Sequence, residues 1–175
     1  KYFENINSLY ASFSNKFGEK FSARLGIRAE QTNTRGHQFA IDSINTRSYF
    51  DIFPNIRLTY KFQEDNQLSL TYSYRISRPW SSSLNPFMKK NSDYSFSTGN
   101  PYLNPQYSHS VSLSHSWKYM LFTSVSYSYT KDDINWLEAP LDSNNIHYNP
   151  LALISYPINF GSSQNVSFNL SFNKE

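Results

Sequence analysis

The chain has no cysteine, only two methionines and five glycines, and few alanines among its 175 residues. Without cysteine there are no disulfide staples and no thiolate metal sites, although that absence selects no compartment. No stretch approaches the roughly 18 consecutive apolar residues that a membrane helix needs, which excludes helical spans and nothing more. The net charge of +3 is spread along the chain with no basic run, so no nucleic-acid partner is expected. The opening Lys1-Tyr2-Phe3-Glu4-Asn5 is neither the charged nor the apolar region of a signal peptide. Gly-rich phosphate loops, H-E-x-x-H and G-x-S-x-G are missing too, and with them the commoner local signatures of catalysis.

What is present points to β-structure. Tyr and Phe number 14 each, with three Trp, and aromatic residues suit a pleated, half-buried surface. Mean hydropathy is −0.62, which is compatible with a membrane barrel because such walls alternate apolar and polar residues. The alternation is visible. Tyr107, His109, Val111, Leu113, His115 and Trp117 share one parity, against Ser108, Ser110, Ser112, Ser114 and Ser116. Leu68, Leu70, Tyr72, Tyr74 and Ile76 stand against Ser69, Thr71, Ser73 and Arg75. The same holds for 21–29, 56–62 and 166–172, more weakly for 9–13 and 125–129, and most weakly for Ala152 to Phe160, where Pro157 intervenes. A strand signal thus recurs about eight times. Charged side chains fall on the polar parity, so that face is wet and the other meets hydrocarbon or a protein core.

The connections add direction. Tight turns are expected at Lys16-Phe17-Gly18-Glu19-Lys20, Gln63-Glu64-Asp65-Asn66, Lys118-Tyr119-Met120 and Gly161-Ser162-Ser163-Gln164, with long connections near 31–54, 78–106 and 131–150. Alternating short and long connections suit an outer-membrane barrel, whose periplasmic turns are tight and whose extracellular loops extend. Phe17, Phe21, Phe62, Trp117, Tyr119 and Phe160 would form one aromatic belt, and Tyr74, Tyr107, Tyr127 and Tyr129 the other, as amphipathic rings favour the headgroup boundary. The expected fold is all-β: an antiparallel up-and-down transmembrane β-barrel segment of about eight strands, with short turns at one end and long loops at the other. A soluble β-sandwich is the competing reading.

The middle loop carries the most specific motifs. Arg75-Ile76-Ser77-Arg78-Pro79, then Leu84-Asn85-Pro86-Phe87, then Gly99-Asn100-Pro101-Tyr102-Leu103-Asn104-Pro105-Gln106-Tyr107 resemble the barrel of TonB-dependent receptor-like outer-membrane proteins of the Bacteroidetes type. Tyr2-Phe3-Glu4-Asn5-Ile6-Asn7 and Gly26-Ile27-Arg28-Ala29-Glu30-Gln31-Thr32 extend the likeness, which covers about residues 1–135. It implies a barrel of roughly 22 strands around a plug, in the outer membrane of a Gram-negative bacterium, for energised uptake of a nutrient such as a glycan, chelate or peptide. Its implied partners are outer-membrane lipid, a plug domain, a TonB-type energy-coupling protein and a small solute. Residues 1–175 are then part of one barrel domain, with plug, signal peptide and remaining strands outside the chain. A structural or adhesive barrel that binds through its long loops is the alternative.

Two groups of side chains are candidate sites, each with a plainer reading beside it. Arg78, Pro79, Asn85, Pro86, Phe87, Gly99, Asn100, Pro101 and Pro105 read as structural: proline fixes φ, and Gly99-Asn100 suits a left-handed turn. Trp80, Tyr94, Phe96 and Tyr102 would be a ligand-stacking surface in the same loop, unless they serve only its rigidity. Arg24, Arg28, Glu30, Arg57, Lys61 and Arg75 form a lumen-facing charged wall, meeting an acidic surface or an anionic solute, or else pairing across strands at about 0.2–1 kcal/mol each. No enzyme activity, metal or cofactor is expected. His109 and His115 lie roughly 20 Å apart on one strand, His37 and His147 are remote, and Asp132-Asp133 and Glu64-Asp65 read as solvated turn residues. An isolated segment of this kind is also expected to self-associate through its open edges.

Overall fold

A computed structural model describes residues 2–38, 43–142 and 149–173. Among them are eleven strands: β1 (Tyr2–Phe17), β2 (Phe21–Gln38), β3 (Ser43–Gln63), β4 (Asn66–Ser77), β5 (Lys89–Ser92), β6 (Ser95–Ser97), β7 (Gln106–Trp117), β8 (Leu121–Lys131), β9 (Ile134–Pro140), β10 (Leu153–Asn159) and β11 (Ser162–Phe172). They form a seven-stranded sheet, β1-β2-β3-β4-β7-β8-β11, and a four-stranded sheet, β5-β6-β10-β9. The chain divides accordingly into two compact units: 1–75, 108–130 and 163–175 form the first, and 76–107 with 131–162 form the second.

In the first unit, register decides which side chains share a face. Phe13, Leu25, Ile56 and Tyr72 are cross-strand neighbours, as are Asn15, Ala23, Leu58 and Leu70. The opposite face carries the rows Ser14–Arg24–Arg57–Thr71 and Ser12–Gly26–Asn55–Ser73. Leu9, Phe13, Leu25, Ile27, Ile52, Leu70, Val111, Leu113, Val166, Phe168 and Leu170 are all exposed, so none of the described residues covers the apolar face there. The apolar rows run from Phe17–Phe21–Tyr60 to Leu9–Ala29–Ile52; beyond them comes Asn7–Gln31–Phe50, then Asn5–Asn33–Ser48. From Phe21 to Ala29 is about 27 Å at strand rise. At a barrel tilt of about 40° that stands about 20 Å tall, most of the roughly 25 Å of an outer-membrane apolar band.

Three tight turns lie at one end of this sheet. Backbone bonds link them in series: the Lys61 amide donates to the Lys20 carbonyl, that of Lys118 to Asp65, and that of Asn173 to Met120. Gly18 takes φ +69°, and Lys118 and Tyr119 take φ +50° and +56°. Two successive positive φ values closed by the Met120 amide to the Trp117 carbonyl at 3.0 Å make the primed turn whose twist matches its flanking strands. Lys118 also lays its ammonium over the Trp117 ring at 5.1 Å.

The structure corrects the expected wall in three places. The connection 31–54 is mostly strand: β2 and β3 stay paired through Gln38 and Ser43. Polar residues occupy both parities of this extension, as at Asn33–Ser48 and Thr34–Arg47, so apolar alternation fades while the ladder continues. Next, the Ala152–Phe160 segment is β10, part of the smaller sheet, so the wall has seven strands here. Finally, Gly161 (φ +65°) opens β11, at the end opposite the three tight turns. Gly161–Gln164 is therefore no hairpin between wall strands, and Phe160 leaves the turn-end belt.

The second unit is built from the two long connections. β10 pairs parallel with β6 and antiparallel with β9, so two segments distant in sequence share one sheet. Its core is Phe96, Leu141 and Ala152, with Ile154 against them. Pro157 is tolerated in β10 because β6 stops at the level of Ser155. On that side, where proline offers no amide, the Asn100 amide group donates to the Pro157 carbonyl at 3.2 Å, replacing the ladder.

Two substitutions test these assignments. Leu70→Arg places a charge on the lipid face and is expected to cost about 2–4 kcal/mol in a bilayer, whereas Ser69→Arg costs far less; equal losses in urea titrations of bilayer-folded protein would reverse the faces. In the second unit Phe96→Ala is expected to cost about 3–5 kcal/mol and open that unit to protease, while Tyr94→Ala leaves its digestion pattern unchanged.

Candidate functional site

The polar face of the large sheet is divided by charge. On β2 and β3, the Arg28 guanidinium meets Glu30 at 3.1 Å and lies over the Phe53 ring at 5.1 Å. Arg28 thus has both an anion and a π-face. Among the described residues Arg24 has neither: its cross-strand neighbours are Ser14 and Arg57, and the next residue in the row is Thr71. Lys61 faces Gln67, and Arg75 continues the polar parity of β4. The Arg28–Glu30 ion pair joins two residues of the same strand, and the register sets Arg24 against Arg57.

Past Arg75, the strands β7, β8 and β11 carry no Lys, Arg, Asp or Glu on this face. Thr59 and Ser69 hydroxyls lie 3.0 Å apart, and those of Ser108 and Thr130 lie 2.8 Å apart; Ser126 and Ser167 are likewise bonded across β8 and β11. Together they describe a continuous Ser, Thr and Asn surface from β4 to β11. Sequence reading saw the serines of β7 as a polar parity and missed the surface, because strand order is what joins them.

In the second unit the structure separates the expected aromatic group. Trp80 (82% exposed), Tyr94 and Tyr102 (68%) stand in solvent, whereas Phe96 at 2% is in the core. Phe96 is therefore removed from the stacking set: its ring packs with Leu141 and Ala152, where no ligand reaches it. Phe87, Trp136, Leu151 and Phe160 are exposed as well and were not expected on such a surface. Their signal, an aromatic or apolar residue at a loop or strand edge, is too common to single out.

The loop motifs hold backbone to backbone. Asn85 and Asn100 each accept an amide two residues on through Oδ1, from Phe87 at 3.2 Å and Tyr102 at 3.0 Å. The Thr98 hydroxyl donates to the Pro86 carbonyl at 2.9 Å. Gly99 is needed for closeness and not for a left-handed φ, since positive φ occurs at neither Gly99 nor Asn100. A Cβ there would sit 2.5 Å from the carbonyl oxygens of Ser83 and Asn85, to which the amides of Asn100 and Gly99 donate. Arg78, Pro79, Pro101 and Pro105 flank this clasp in the same connection. At its far side Asn159 donates to the Asn104 and Asp132 carbonyls at 3.0 and 2.7 Å.

The remaining candidates are dispersed. His109 Nδ1 is 3.0 Å from the Tyr72 hydroxyl and its ring stacks on Tyr74 at 4.3 Å; His115 Nε2 lies 2.9 Å from Asn66 Oδ1. His147 falls outside the described residues. No metal-binding group of His, Asp or Glu is found among the described residues. Asp132, at φ +56°, and Asp133 hold a turn through their carbonyls. Lys90 binds Asp93 at 2.7 Å and by that hydrogen bond holds its carboxyl below the usual range.

Among solved structures, a double mutant of the Serratia marcescens hemophore receptor HasR, in complex with its hemophore HasA and heme, is similar over 98% of this chain and 32% of its own. The TM-score is 0.70 and the identity 13%. A mutant of the ferric enterobactin receptor PfeA from Pseudomonas aeruginosa, in complex with enterobactin, is similar over 95% of this chain and 33% of its own, with TM-score 0.53 and 11% identity. At these identities the likeness is one of fold, and the chain spans about a third of the length of each receptor. No curated protein matches the chain. The model of the Outer membrane protein beta-barrel family matches residues 1–175; the chain belongs to that family, and its place is the outer membrane.

Proposed function

We propose that this chain is part of the barrel wall of a TonB-dependent receptor of the Bacteroidetes type, which takes up a scarce nutrient such as a glycan, chelate or peptide. The observation that carries this reading is the open seven-stranded sheet, apolar on one face and polar on the other, which matches the fold of two large receptors over nearly its whole length. An apolar face of this size calls for lipid, and exposed edges β1 and β11 call for neighbouring strands. Residues 1–175 then belong to one barrel domain, closed by further strands around a plug, with a TonB-type protein supplying energy. Deprived of those strands, the chain self-associates at its edges.

The second unit is the ligand-facing part in this reading. Long connections of outer-membrane barrels face the exterior, and Trp80, Tyr94 and Tyr102 offer rings to a neutral or aromatic ligand. No residue is assigned a catalytic role.

Deleting the full-length gene should abolish growth on one limiting nutrient. Trp80→Ala/Tyr102→Ala should weaken binding of that nutrient by about tenfold or more, the loss of about 1.4 kcal/mol, at unchanged surface abundance. Normal uptake in the deletion strain, with loss of attachment to a surface instead, would identify an adhesive barrel.

A further inference from the structure

Register places two arginines directly opposite each other on the polar face, Arg24 on β2 and Arg57 on β3. Directly opposed residues in an antiparallel pair have Cβ atoms about 4.5–5.5 Å apart, and like charges so placed repel. The row is completed by Ser14 and Thr71, which donate hydroxyls and carry no negative charge. One row towards the tight turns Lys16 stands on the same parity, and one row further Lys61 does. No ion pair involves Arg24 or Arg57 among the described residues.

Their distance from acidic groups sharpens the point. The nearest carboxylates on this face are Glu30 and Asp51, paired across β2 and β3. Each is six positions from the arginine on its own strand, or about 20 Å at strand rise, and the Arg28 guanidinium already binds Glu30. That is more than two Debye lengths at physiological salt, about 8 Å each. Beside them Gly26 leaves its side-chain position to Asn55, whose amide would lie 2.5 Å from a Cβ at Gly26. The two guanidiniums therefore share a row with open space and hydrogen-bond donors around them.

We propose that Arg24 and Arg57 form an anion-binding site on the inner face of the barrel, taking a carboxylate or similar oxyanion between two guanidinium forks. Each fork can bind such a group with two parallel charge-assisted hydrogen bonds, and the Ser14 and Thr71 hydroxyls flank the row. The oxyanion comes either from a free solute or from an acidic side chain of protein within the lumen, and the chemistry is the same. The site rests on the reading of the polar face as the water-facing wall of an outer-membrane barrel.

The test uses the full-length protein, purified in detergent at low salt. Arg57→Glu restores a favourable cross-strand pair with Arg24, so it keeps the fold while removing the site. A free-anion source predicts that wild type binds citrate or inorganic phosphate in calorimetric titrations, and that Arg57→Glu weakens this by about tenfold or more. A protein source predicts no titratable binding in wild type, but new trypsin cleavage outside the barrel in Arg57→Glu and in Arg24→Gln/Arg57→Gln. If anion binding is absent or unchanged and the cleavage pattern is also unchanged, the site is refuted and the pair is simple repulsion. The underlying reading fails separately: a Ser69→Cys label unreachable by a water-soluble maleimide shows that the polar face is not water-facing, whatever the titrations give.

Discussion

The backbone ladder of the large sheet is the constraint on which the other features depend. In lipid no water is available to an unpaired amide or carbonyl, so a spanning strand must be paired on both sides. Antiparallel pairing in a fixed register satisfies those groups and, in the same step, sorts every side chain to one face. A slip of one residue would bring Arg24, Arg28 and Arg57 to the face now holding Leu25, Ile27 and Ile56. At the bilayer midplane each arginine would cost about 2–4 kcal/mol, which fixes the register more firmly than the hairpin turns do.

The same sorting explains what the sequence revealed. Tyr107 to Trp117 alternates without a break because β7 has one dry and one wet face across its length, and its assignment as strand needed nothing else. The hairpin 31–54 was hidden for the opposite reason. Past Ile52 polar residues fall on both parities of β2 and β3, and residues such as Asn33 and Ser48 pair without any hydrophobic pattern. Ala152 to Phe160 misled because β10 is half-buried in its own small core, so it alternates like a wall strand. Alternation reports burial of one face and does not say which core buries it.

The candidate sites were legible to a lesser degree. The loop motif was recognisable, but the reason for its Gly99 was not: contact with Ser83 and Asn85 is a tertiary fact. Phe96 and Tyr94 are indistinguishable in sequence, two residues apart in one aromatic loop; the pairing of β6 with β10 alone puts Phe96 in the core. On the polar face, the positions of the charges were readable strand by strand. That Arg24 opposes Arg57, and that a hydroxyl surface replaces charge from β7 to β11, required strand order and register. The wall thus has a cationic sector and a neutral one, built on a single ladder.

The central claim is that one ladder separates a lipid face from a water face across seven strands. Spin labels placed singly along 108–117 in the bilayer-folded, full-length protein test it most directly, through their collisions with oxygen and with a water-soluble nickel chelate. The account predicts a period of two, with oxygen favoured at Val111 and Leu113 and the chelate favoured at Ser110, Ser112 and Ser114. Uniform accessibility along β7, or the opposite phase, would contradict it.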